Sequence, residues 1–120
     1  MPIGLKKAVK GAMNQLLNRA GYVAFRKENL ASYPLSKHLA DLFDMHRIDC
    51  VFDVGGNEGL YGTLLRDRVG YRGTIVSIEP VAEHAEKLRA TAAADRSWVV
   101  RQVALGAEPG HLTMNVTRDE

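Results

Sequence analysis

One cysteine in 120 residues, Cys50, leaves this chain without an internal disulfide framework or a cysteine-built zinc cluster. No apolar run approaches the roughly 18 residues of a membrane span. An excess of one charge is also lacking. Sixteen Lys and Arg against fourteen Asp and Glu leave +2, too near neutral to argue for nucleic acid as a partner. No Gly-Lys-[Ser/Thr] follows a glycine loop, which excludes a P-loop. His38, His46, His84 and His111 fall on different elements and never at metal-ligand spacing, so no metal site is expected and no general base is assigned. The basic start, with Lys6, Lys7, Lys10 and Arg19 and no acid, has no continuous apolar stretch and is broken by Asn14, Gln15 and Asn18. It is a poor signal peptide, and with the lone cysteine it fits a reduced, cytoplasmic compartment. Cys50, just before an apolar strand, reads as a buried inert thiol.

What is present suits one small core: 46% hydrophobic and 25% charged residues, at single-domain length. Residues 3–20 place Leu5, Ala8, Val9, Ala12, Met13, Leu16, Leu17 and Ala20 at steps of three and four, an amphipathic helix ended by Gly21. Its basic face suits either solvent, with the helix packed on its own domain, or contact with an anionic membrane. Ser36 is expected to cap a second helix running to about Arg47, with Leu39, Ala40, Leu42 and Phe43 inward. Then the rhythm changes. "CVFDVGG", "TIVSIE" (74–79) and "WVVRQVALG" read as strands, the first covered on both faces. Helices from Leu60 to Val69 and from Val81 to about Ala94 separate them, with Pro80 at the turn into the second. "HLTMNVT" is expected to pair back as a half-exposed hairpin strand. Strand, helix, strand, helix, strand with tight connections predicts parallel pairing, one half of a doubly wound α/β sheet over residues 48–120, preceded by a helical region over 1–47.

The loop "VFDVGGNEGLYG" holds four glycines in eight residues, at the edge where such sheets bind ligands. The dinucleotide pattern G-x-G-x-x-G fails in both registers: from Gly55 it needs glycine at Asn57 and Leu60, from Gly56 at Glu58 and Tyr61. An acid before G-x-[G/N]-x-G fits as Asp53, Gly55, Asn57 and Gly59. Glu79 ends the second strand twenty positions after Gly59. There it is either a ribose-hydroxyl acceptor or a plain exposed residue.

"VFDVGGNEGLYG", "GYRGTIVSIEP", "WVVRQVALG" and "MNV" together resemble the FkbM-type S-adenosylmethionine-dependent methyltransferases, from about residue 48 onward and more weakly through "GYVAFRKENL". The family's usual loop has alanine at the position of Gly56, and its second strand usually has phenylalanine at that of Ile78. The resemblance implies a Rossmann-like fold with S-adenosylmethionine as cofactor. Asp53, Gly55, Asn57 and Gly59, with Gly56 between them, would line its methionine end. Glu79, followed by Pro80, would hold the ribose, and Val103, Ala104 and Leu105 would flank the adenine. Tyr61 is placed either to touch cofactor or substrate or to pack. The implied reaction is methyl transfer to a hydroxyl of a small molecule or glycan.

The family's sheet has seven strands in the order 3-2-1-4-5-7-6, so the chain is expected to cover the cofactor half, cut short after the third strand and its hairpin. The first strand would then be an unpaired edge open to self-association. Two other readings stand beside this one. One is an NAD-binding oxidoreductase fragment; the other is a non-catalytic interaction module using that edge.

Overall fold

The computed structural model describes residues 3–22, 31 and 33–116. The chain falls into two compact units, Met1–Pro34 and Leu35–Glu120.

In the first unit, helix α1 spans Ile3–Arg19. It closes as expected at Gly21, whose φ is +81°. The Tyr22 amide donates to Leu17 O (2.9 Å) and the Gly21 amide to Asn18 O (3.1 Å), the paired bonds of a Schellman ending. All but the first two residues of α2 (Tyr33–Met45) belong to the second unit, and the helix starts earlier than the sequence suggests. Pro34 is tolerated in its first turn, where amide groups have no helical acceptor. Ser36 therefore lies inside the helix and is buried, not a cap. Leu39 and Phe43 pack on the core, while Leu42 is exposed. The helix ends by the same device as α1, the Ile48 amide donating to Phe43 O (2.9 Å) and that of Arg47 to Asp44 O (3.1 Å). Here the left-handed residue is not glycine but Arg47, at φ +49°.

Strands β1 (Cys50–Val54), β2 (Thr74–Ile78) and β3 (Trp98–Arg101) form an all-parallel sheet in the order β1-β2-β3. Register places Val51, Ile75 and Trp98 side by side, with Asp53, Ser77 and Val100 in the next row of that face. Against it lie α3 (Leu60–Leu64), continued by a π-helical turn over Leu65–Val69, and α4 (Ala82–Ala92). Leu65, Tyr71, Ile75, Leu88, Ala92 and Trp98 form the buried cluster. Arg66 binds the sheet's amino end together: Nε donates to Asp95 Oδ2 (2.6 Å), and the terminal nitrogens to Tyr71 O (2.8 Å), Gly73 O (2.8 Å) and Ser97 O (3.2 Å).

Three expectations are corrected. β1 is covered on one face only: Phe52 and Val54 point away from the core row and are 66% and 62% exposed. Cys50 shares their side of the pleat and is likewise exposed, not buried. β3 stops at Arg101, and the hairpin strand does not form among the described residues, so 102–116 is irregular and exposed. The alternating Leu112, Met114 and Val116 line a cavity instead of entering a ladder.

Candidate functional site

The loop Gly55–Gly59 leaves the carboxyl end of β1 through alternating left-handed residues: Gly55 at φ +80°, Asn57 at +49° and Gly59 at +94°. Only glycine, and asparagine less readily, enters that region at low cost. The G-x-[G/N]-x-G spacing thus meets a backbone requirement. Gly55 has open space where a Cβ would stand, so its role is conformational. At Gly59 a Cβ would lie 2.9 Å from Leu88 Cδ1 and 3.1 Å from Thr91 Cγ2, which lets α4 come close. A Cβ on Gly56 would meet Asp53 Oδ2 and Ser77 Cβ at 3.0 Å and Leu88 Cδ2 at 3.1 Å. The alanine of the resembling loop would need those neighbours to give by a few tenths of an ångström.

The loop is anchored along its length. Ile78 O accepts both the Gly55 amide (2.8 Å) and the Gly56 amide (3.1 Å). The Asn57 amide donates to Glu79 Oε2 at 2.9 Å. Glu58 O accepts Thr91 Oγ1 at 3.0 Å, and the Glu58 carboxylate accepts Lys87 Nζ at 2.8 Å. That last bond holds the Glu58 carboxyl below its ordinary range and pushes the Lys87 ammonium up. Both groups face solvent, so the pair contributes little to stability.

Glu79 follows β2 directly and is 5% exposed, which corrects the reading of a solvent-exposed strand end. Its Oε1 accepts the Val81 amide at 2.9 Å, so one carboxylate ties the glycine loop to the start of α4. Asp53 lies beneath the loop in a buried polar chain. Trp98 Nε1–H donates to Ser77 Oγ (2.9 Å), and Ser77 Oγ–H donates to Asp53 Oδ2 (2.8 Å). Trp98 reaches that position by lying over Gly62, where a Cβ would come within 2.1 Å of its ring.

The structure thus brings Asp53, Gly55, Gly56, Asn57, Gly59 and Glu79 together, with Pro80 half-buried beside them. Val103, Ala104 and Leu105 join Pro80 elsewhere, in the lining of a cavity of about 780 Å³ that includes none of the loop residues. Tyr61 is 42% exposed on α3. Reasoning from sequence missed Ser77, Trp98 and Gly62. A serine inside the apolar run "TIVSIE" was the available signal, because a buried hydroxyl needs a partner. Among the described residues no His, Cys, Asp and Glu side chains group as metal ligands would. No protein-family model, no curated protein and no solved structure matches this chain.

Proposed function

We propose that this chain is the cofactor-binding half of an S-adenosylmethionine-dependent methyltransferase acting on a hydroxyl of a small molecule or glycan. The observation that carries the reading is the buried Glu79 carboxylate at the carboxyl end of β2, hydrogen-bonded to the glycine loop through the Asn57 amide. Folds of this class use an acid there to accept ribose hydroxyls. A carboxylate offers about four acceptor sites. One amide on each oxygen leaves roughly half of them for a ligand.

The same arrangement argues against a pyrophosphate. The loop amide of Asn57 is already taken by a carboxylate. A second anion at ~4 Å from it would be repelled by about 4 kcal/mol near a protein surface. S-adenosylmethionine, whose sulfonium and ammonium outweigh its one carboxylate, is attracted by the same charge. The glycine loop and Glu79 therefore fit the charge of the cofactor. Glu79 would hold the ribose, the exposed side of Gly55 and Asn57 the methionine end, and Val103, Ala104 and Leu105 would give apolar contact to the adenine. When bound, the cofactor supplies an electrophilic methyl group, while the chain's anchored loop supplies orientation.

Calorimetric titration with S-adenosylhomocysteine and, separately, NAD⁺ tests this, using the parent chain and Glu79→Gln. Saturable binding of the first ligand alone, weakened by the substitution while Trp98 fluorescence is unchanged, is expected. Equal binding of NAD⁺, or no binding by the folded chain, overturns it. One observation favours a second reading, an interaction module: the edge strand β1 carries the exposed pair Phe52 and Val54. Concentration-dependent association without nucleotide binding would make that the better account.

A further inference from the structure

Helix α1 takes no part in the function proposed above. Val9, Met13 and Leu16 stand on it at i, i+4 and i+7, one face of a helix. They are 52%, 54% and 66% exposed. Three large apolar side chains in a row facing water are unfavourable unless something covers them. Charge identifies the cover. Through residue 20 the chain carries Lys6, Lys7, Lys10 and Arg19 and no Asp or Glu. A nucleic acid would match the charge but gain nothing from the apolar row. An apolar protein groove would match the row but gain nothing from the four cations.

We infer that α1 lies in the plane of an anionic lipid surface, its Val9–Met13–Leu16 row in the acyl boundary and the segment's basic charge matched by the headgroups. Its 17 residues make a rod of about 25 Å. Asn14, Gln15 and Asn18 within it, and the absence of any described helix long and apolar enough to cross a membrane, make this an interfacial contact and not a span. Each basic residue near such a surface strengthens binding about fivefold, in a salt-dependent way.

The test is flotation of the full chain with phosphatidylcholine vesicles, with and without phosphatidylserine. Binding is expected only to the phosphatidylserine vesicles, and it should fall as salt rises. Replacing Lys6, Lys7 and Lys10 together by glutamine should weaken it about a hundredfold. Leu16→Glu and, separately, Met13→Glu should abolish it. Trp98, the only tryptophan, belongs to the other compact unit, so its fluorescence reports that these variants keep the sheet folded. Equal binding to neutral vesicles overturns the inference, as does none to anionic ones. So does binding that both glutamate variants retain, which would mean a purely electrostatic contact of the kind RNA also makes.

Discussion

Replacing Ser77 by alanine strikes the polar chain on which the glycine loop rests. Ser77 Oγ is fully buried, accepts the Trp98 indole N–H and donates to the Asp53 carboxylate. Alanine is nearly isosteric, so no cavity follows and the cost is polar. Losing a hydrogen bond to a charged group costs roughly 1.5–3 kcal/mol, and stranding a buried donor about 1–3 kcal/mol. The substitution should therefore cost about 3–5 kcal/mol, a large share of the roughly 5–15 kcal/mol that holds a small domain together. At roughly 4–8 °C per kcal/mol, the melting temperature should fall by at least about 10 °C. Thermal unfolding followed by Trp98 fluorescence reads this at the site itself. Asp53→Asn should be milder, near ~1 kcal/mol, because an amide oxygen still accepts the Ser77 hydroxyl. A Ser77→Ala chain that melts within about 2 °C of the parent would refute the reasoning, since the stranded groups would then have other partners.

Packing makes a contrasting prediction. Gly62→Ala drives a Cβ to 2.1 Å from Trp98 and should cost about 1–3 kcal/mol or more in urea unfolding. Gly55→Ala, with open space around it, should cost only the left-handed backbone penalty of about 1–2 kcal/mol. Arg47→Gly should do the reverse and raise stability by up to about 1 kcal/mol, because it relieves the φ of +49° at the end of α2. Thermal unfolding shows the sign. Acid should weaken the fold through Asp95, whose carboxyl is held low by its hydrogen bond from Arg66, with burial opposing. A folded-state value below the unfolded one means that this stabilisation is complete above about pH 4 and is lost as pH falls through the depressed value. Urea midpoints measured from pH 7 downward should drop in that acid range, and Asp95→Asn should remove this part of the dependence.

The order of elements, the parallel pairing and the loop glycines were legible because each is written locally. β-Branched runs gave the strands, and the spacing of apolar residues gave the helices. Glycine and asparagine stand at the loop's three left-handed positions, Gly55, Asn57 and Gly59. What escaped the sequence depends on partners far along the chain. Nothing near Ser77 announces that it links Trp98 to Asp53, and nothing near Glu79 announces the Asn57 amide. Cys50 was misjudged because a strand's apolar content does not say whether its second face is covered, and here Phe52 and Val54 are exposed. The expected hairpin failed for a related reason. Leu112, Met114 and Val116 alternate as a strand would, but alternation names no partner strand, and all three stay exposed.

Site-resolved titration tests the central claim most directly. In a ¹⁵N-labelled chain given S-adenosylhomocysteine, the amides of Gly55, Asn57 and Gly59 and of Val103, Ala104 and Leu105 should shift together and saturate at one ligand concentration, with NAD⁺ leaving them still. Shifts confined to other parts of the chain, or none in a chain whose spectrum is that of a folded protein, would contradict the account.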